Sequence, residues 1–280
     1  MQKGWFIIKK DKIVIITNGN YFSKNILTKL FEEYKNNIYG VIIVYGDYYG
    51  QSGLKTLWNI GTATVPQYTI YKLFQFIAFK IANLVFYNST FFVEDIVKKY
   101  NISLLLVKSV NSDEVFRFIQ KISPKLIVSV SCPQRISEKL IRLASYGGIN
   151  IHSSLLPTYA GLAPYYWVLS KGEKVTGISV HYLTKRFDAG NILVQKTINI
   201  EAKISVFELF KKLSYLGNSA LHKGVALALN GDKGQPQDLL NYSYYSHPTK
   251  QSYNELKQKG HTLIRFSEIF KTIIEEVKNH

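Results

Sequence analysis

The chain has 280 residues, 46% of them apolar, with one cysteine and a formal charge of +16 from 35 Lys+Arg against 19 Asp+Glu. That length and apolar share allow one large domain with a sizeable core, and a lone cysteine excludes internal disulfides and cysteine-based zinc clusters. The charge admits nucleic acid, an anionic membrane or phosphorylated small molecules as partners, but the basic residues are scattered in short runs such as Lys9-Lys10, Lys98-Lys99 and Lys211-Lys212, which argues against a dedicated nucleic-acid surface.

The opening stretch MQKGWFIIKKDKIVIIT is too charged and interrupted for a signal peptide, so a cytoplasmic location is expected. Lys12 to Thr17 is the continuous apolar run of a central parallel strand. Asn18-Gly19-Asn20 turns the chain, and Ser23 is expected to cap a helix reaching about Asn36. Gly40 to Tyr45 reads as a second strand, which makes a βαβ opening and an α/β domain with a parallel sheet. Tyr68 to Phe86 is long and apolar, but Lys72, Gln75, Lys80 and Asn83 interrupt it largely on one helical face. It reads as an amphipathic helix that packs in the core or at a dimer contact, with membrane-surface attachment as the lesser alternative. A strand over Ser103 to Val110, a helix near Ser112 to Ile122 and a strand over Leu126 to Val130 follow.

The stretch Gly147 to Gly190, GGINIHSSLLPTYAGLAPYYWVLSKGEKVTGISVHYLTKRFDAG, carries the chemistry. Asn150 and His152 are two apart in a short strand, so they point to the same side. Ser153-Ser154-Leu155-Leu156-Pro157 breaks that strand and Gly161 closes the loop. A helix over Leu162 to Ser170 and strands over Val175 to Leu183 and Ile192 to Ile200 come next, with Asp188 in the turn between the strands. An Asn amide hydrogen-bonds an oxygen that gains charge when a carbonyl is attacked. A His takes a proton from an attacking amine near neutral pH, and an Asp that reaches it favours its protonated form. Acyl transfer to an amine needs no further nucleophile. Each of the three residues alone also has an ordinary structural reading as a strand end, turn former or loop cap. The sequence lacks Gly-x-Gly-x-x-Gly, phosphate-loop, Gly-x-Ser-x-Gly and His-Glu-x-x-His motifs, which removes the commonest rival chemistries.

Ser205 is expected to cap a long helix over Val206 to Asn230, with Glu208 completing a capping box. Gly231 to Pro236 is the clearest break. It separates a catalytic domain, residues 1–231, from a small C-terminal extension, residues 232–280, with an aromatic strand-like piece at Tyr242 to Thr249 and two short helices.

The Asn-x-His-x-Ser-Leu-Leu-Pro segment with a following loop Asp resembles the folate-dependent formyltransferases. The likeness is specific from about Leu126 to Glu201 and architectural before that. It implies a Rossmann-like, mostly parallel sheet with helices on both faces, N10-formyltetrahydrofolate as formyl donor, an amine as acceptor, and no metal. By position, Asn150 binds the formyl oxygen, His152 acts as base and Asp188 tunes it, with Ser154 and His181 in support. The resemblance puts Cys132, Pro133 and the Thr184, Lys185 and Arg186 loop against the cofactor. The tail, with Tyr245, Pro248 and Thr249, is similar to that of sugar N-formyltransferases, which implies a nucleotide-linked amino sugar as acceptor, for surface polysaccharide; a homodimer is expected as well. Residues 232–280 are few for the tRNA-gripping barrel of methionyl-tRNA formyltransferases, so tRNA is the less favoured acceptor. A formyltetrahydrofolate hydrolase and a non-catalytic folate- or nucleotide-binding module are the remaining alternatives.

Overall fold

The computed structural model describes residues 11–45, 65–87 and 89–278. The first half runs β1 (Ile13–Thr17), α1 (Tyr21–Tyr34), β2 (Ile38–Val44), α2 (Pro66–Val85), α3 (Val93–Lys99), β3 (Leu104–Val107), α4 (Asp113–Ile122), β4 (Leu126–Val130) and α5 (Glu138–Ile141). The second runs β5 (Gly148–His152), β6 (Ala160–Gly161), α6 (Pro164–Lys171), β7 (Val175–Tyr182), β8 (Ile192–Asn199), α7 (Val206–Leu229), β9 (Tyr244–Tyr245), α8 (Lys250–Gln258) and α9 (Phe266–Lys278). Seven strands form one sheet in the order β3-β2-β1-β4-β5-β7-β8, parallel from β3 to β5 and antiparallel at β7 and β8. The mostly parallel α/β sheet expected from the sequence is therefore present.

β1 is apolar throughout because both of its faces are covered. Ile13 and Ile15 enter the core on the side of α1, α2 and α7, whereas Val14 and Ile16 enter the core under α4 and α5. Each such fully buried side chain adds about 1.5–3 kcal/mol. The chain leaves β1 for β2 and β3 on one side and returns to β4 on the other, so the sheet has a switch point between β1 and β4. Crevices that hold ligands open at the carboxyl ends of strands flanking such a point.

Several local expectations need correction. Asn20, not Ser23, caps α1: its Oδ1 accepts from the Ser23 backbone N–H at 2.9 Å, while the Ser23 hydroxyl is buried and donates to Asn18 Oδ1 at 2.8 Å. β3 is shorter than the expected Ser103–Val110 strand, because the Val110 N–H leaves the ladder and donates to Gln134 Oε1 at 2.8 Å. Ser205 caps α7, accepting from the Glu208 N–H at 3.0 Å, but the expected capping box is not formed; the Ser205 hydroxyl donates to Glu268 of α9 at 2.7 Å.

Helix α2 is a core helix through Tyr68, Tyr71, Phe79 and Ala82. Its polar stripe is turned partly inward, with Gln75 buried and Lys72 half-buried, while Ile70, Leu73, Phe76, Ile77 and Ile81 are exposed. Among the described residues no helix is long and apolar enough to cross a membrane. The segment after Gly231 docks on the body. β9 pairs with β6, the Trp167 indole donates to the Ser246 carbonyl at 2.9 Å, and Lys24 and Glu276 form a buried ion pair.

Candidate active site

Parallel pairing with β4 on one side and antiparallel pairing with β7 on the other fixes β5. Asn150 lies directly opposite His181 and His152 directly opposite Ser179, and cross-strand pairs of this kind bring side chains into contact. The Asn150 amide nitrogen is 3.2 Å from His181 Nε2, and His181 Nδ1 is 2.9 Å from the Tyr182 carbonyl. A carbonyl can only accept, so Nδ1 carries a hydrogen, and in that tautomer Nε2 accepts from the Asn150 amide. One N–H of the Asn150 amide is thereby spent on orientation and the other is left for a ligand.

His152 is 6% exposed and sits between two acceptors. Its Nε2 donates to the Tyr159 carbonyl at 2.8 Å, and its Nδ1 faces Asp188 Oδ2 at 3.6 Å. The loop after β5 keeps this geometry. Ser154 donates to the Thr158 carbonyl at 2.9 Å, and the Ser179 hydroxyl donates to the Ser154 carbonyl at 2.7 Å while accepting from the Leu156 N–H at 3.0 Å. The Leu156–Pro157 bond is cis.

Asp188 occupies the left-handed region, φ +49°, in the turn between β7 and β8, a conformation that Asp tolerates better than most residues. Its Oδ2 accepts from the Gly161 N–H at 2.9 Å, and its Oδ1 is 3.4 Å from His181 Nε2. Burial would raise the Asp188 carboxyl; the adjacent His152 charge, with His181 and the Gly161 N–H, outweighs it and holds the group well below the usual carboxylate range. Gly161 is required here. Its φ is +99°, and a Cβ would stand 2.2 Å from the Tyr245 carbonyl oxygen. The tail braces the same turn, since Gln237 Nε2 donates to the Asp188 and Gly190 carbonyls at 2.8 and 2.7 Å.

Two cavities open here. The larger, about 290 Å³, is lined by His152, Asn18, Asn20, Lys72, Tyr165 and Phe210 among others. The smaller, about 90 Å³, is lined by His181, Ser129, Leu183, Thr184 and Arg186 among others. Asn150, Asp188, Cys132, Gln134, Arg135 and Phe187 line both. The structure thus brings together Asn150, His152, His181 and Asp188. Ser154 is fully buried behind them. Cys132 lines both cavities, Pro133 the larger, Thr184 and Arg186 the smaller; Lys185 lines neither, its carbonyl accepting from the Arg135 guanidinium. Sequence reasoning assigned no individual site role to Lys72, Gln134, Arg135, Tyr165 or Gln237. Only Gln134 and Arg135, beside Cys132-Pro133, carried a local signal, because they lie in the turn at the end of β4.

A formyl transferase family profile matches residues 11–225. The bifunctional polymyxin resistance protein ArnA of Wigglesworthia glossinidia brevipalpis is 34% identical over 149 residues, covering 53% of this chain and 23% of that protein. The methionyl-tRNA formyltransferase of Staphylococcus aureus (strain Newman) is 30% identical over 178 residues, 59% of this chain and 57% of that one. The match thus spans about a quarter to somewhat over half the length of these curated relatives. In fold, the chain resembles WlaRD, a sugar 3N-formyl transferase solved with dTDP and 5-N-formyl-THF, with TM-score 0.56 and 19% identity over 84% of this chain and 69% of that one. It also resembles an N-formyltransferase from Helicobacter canadensis solved with folinic acid and dTDP-3-aminofucose, with TM-score 0.57 and 14% identity over 84% and 71%. With the family match spanning most of the chain and the Asn150, His152 and Asp188 cluster assembled at the end of β5, this protein belongs to the formyl transferase family.

Proposed function

We propose that the protein transfers the formyl group of N10-formyltetrahydrofolate to the amino group of a nucleotide-linked amino sugar. The observation that carries this reading is the meeting of two cavities at Asn150 and Asp188. A group transfer needs donor and acceptor on either side of one reacting atom, within contact distance. The smaller cavity, walled by the turn after β4 and the Thr184–Asp188 loop, suits the flat ring of the donor, and the larger suits the acceptor. Asn150 donates its free N–H to the formyl oxygen as charge builds there. His152, on the acceptor side, takes the proton from the amine at Nδ1 as the new C–N bond forms. The resulting imidazolium donates to both Tyr159 and Asp188. The proton then returns to N10 of the folate as the old C–N bond breaks. Ser154 and Ser179 hold the loop, and His181 holds Asn150. The dTDP ligands of the two proteins of similar fold, and the Tyr165–Phe210 pair stacked at 3.9 Å in the larger cavity, support a nucleotide-bearing acceptor.

The test is incubation with N10-formyltetrahydrofolate and a panel of nucleotide-linked amino sugars, read by mass spectrometry. One product should gain a single formyl group, and the His152→Asn variant should make none. Formate release without any formylated sugar would replace the transferase by a hydrolase. The curated relatives that are methionyl-tRNA formyltransferases favour charged tRNA as the second acceptor to try. Its binding would weaken steeply with salt, as phosphate-driven binding does.

A further inference from the structure

The wall of the larger cavity opposite β5 holds an unusual cation. Lys72, on the inner face of α2, donates to the Tyr165 hydroxyl at 3.0 Å. Its ammonium lies 5.7, 5.2, 5.3 and 5.6 Å from the ring centroids of Tyr68, Tyr71, Tyr165 and Phe210. Among the described residues the two buried lysines, Lys24 and Lys211, each meet a carboxylate, Glu276 and Glu275, whereas Lys72 is half-buried. Lys72 meets none among the described residues. Ring faces attract a cation by about 0.5–2 kcal/mol, yet they carry no neutralising charge. An ammonium has three N–H donors, and the Tyr165 oxygen takes one.

The phenols around it supply no neutralising charge either. Burial raises the Tyr68 and Tyr71 phenols well above their ordinary range, so both stay protonated. Tyr71 is 3% exposed, and its hydroxyl finds no hydrogen-bond partner among the described residues. Lys80, on the same helix, shows the ordinary alternative: it is exposed and lies 4.4 Å over the Phe92 ring, away from the cavity. A purely structural filler at position 72 would need no charge.

We propose that Lys72, with its tyrosine cage, is the anion subsite of the acceptor and binds a phosphate of the nucleotide diphosphate while the amine faces His152. The naming of the anion rests on the acceptor class proposed above. The folate's own carboxylates are the other possible source of an anion. They are disfavoured because Lys72 lines only the larger cavity, away from Thr184, Arg186 and His181.

Two experiments test this. In the first, inorganic pyrophosphate and dTDP are titrated calorimetrically into wild type, Lys72→Met and Lys72→Arg, with folding checked by circular dichroism. Wild type and Lys72→Arg should bind pyrophosphate, and Lys72→Met should bind it at least tenfold more weakly. Equal binding by wild type and Lys72→Met, or none by wild type, overturns the subsite. Should Lys72→Met not fold, Tyr165→Phe, which keeps the ring and removes the hydroxyl, should still weaken pyrophosphate several-fold; unchanged binding overturns the cage. In the second, kinetics should show KM for the formylated sugar raised about tenfold in Lys72→Met, with kcat and the KM for N10-formyltetrahydrofolate unchanged. A rise confined to the folate KM overturns the assignment to the acceptor. Lys72-dependent pyrophosphate binding together with no formylation of any nucleotide sugar would keep the subsite and remove the acceptor reading, so the two can fail separately.

Discussion

The β5 wall and the α2 wall of the larger cavity are built by different means. On the β5 wall, Asn150, His152 and Ser154 are spaced by two in one strand and its loop. Short-range hydrogen bonds to Thr158, Tyr159 and the facing strand hold them. On the α2 wall, Tyr68, Tyr71 and Lys72 meet Tyr165 and Phe210, which are about ninety to one hundred and forty positions away in sequence. One wall is specified by a local pattern and the other only by the folded chain. This difference predicts a division of labour: changes on the β5 wall should act on the rate of the chemical step, and changes on the α2 wall on binding and on stability.

The largest effect expected on the first wall is in kcat. His152→Asn should lower it by about 10²–10⁴, the usual contribution of a positioned acid–base group. Asn150→Ala should lower it by about 10²–10³, the usual cost of one oxyanion donor. Steady-state kinetics with both substrates varied would show this, with KM values nearly unchanged. A kcat loss below fivefold for either variant would break the comparison, because the strand pair would then be scaffolding.

The sharpest contrast on α2 is Phe79→Ala, in the core behind the cavity wall. Phe79 is 2% exposed in the core face of α2 and stacks on Tyr21 at 4.3 Å. Its truncation should cost about 3–5 kcal/mol of stability, as a lost buried aromatic does, and lower Tm accordingly. The kcat of the fraction that remains folded should be unaltered. Differential scanning calorimetry and an active-site titration would separate the two readouts.

How much of this was legible in the sequence follows the same division. β1, β4 and β5 were readable because parallel strands are buried apolar runs bounded by Gly, Pro or Asn, and β7 and β8 because two largely apolar stretches flank the Phe187-Asp188-Ala189-Gly190 turn. Asn150, His152 and Asp188 were readable because spacing by two and a turn Asp are local signals. The α1 cap was misplaced because Asn18, Asn20 and Ser23 are all capping types and only the folded turn decides among them. The inward turn of Lys72 and Gln75 was not legible, since in a free helix those positions read as its solvent face. Gln237 was invisible for a related reason: its two hydrogen bonds to the Asp188 turn come from the far side of the Gly231 break.

Asp188 tests whether the two ends of the β5 wall act together. Its folded carboxyl lies below the unfolded value of about 3.9. The stability it contributes is therefore fully present above about pH 5 and is lost as pH falls through the folded value. Asp188→Asn keeps the shape and removes the charge. The variant should be less stable than wild type by about 1–3 kcal/mol at pH 7, as expected for the loss of a charge-assisted bond to the Gly161 N–H. The gap should narrow below about pH 4. The substitution should also lower kcat by roughly ten- to a hundredfold. Urea denaturation across pH 3–8 would check the first part, and a gap that widened towards acid would contradict the assigned sign.

The smallest effect is expected at Cys132, where the two cavities join. Burial pushes its thiol up to about 12, although it lines both cavities. At pH 8 a thiol of that kind is ionised to only about one part in ten thousand, against roughly a quarter for a free cysteine. Iodoacetamide should therefore modify native Cys132 roughly two-thousand-fold more slowly than the unfolded chain. Cys132→Ser should hold kcat within about threefold, because the Sγ makes only a weak bond to the Gln134 carbonyl at 3.2 Å. Once alkylated, however, the residue should block both cavities at their junction, so that donor and acceptor KM rise together. Loss of donor binding alone would place Cys132 on one side of that junction and separate the two cavities more completely than their shared lining suggests.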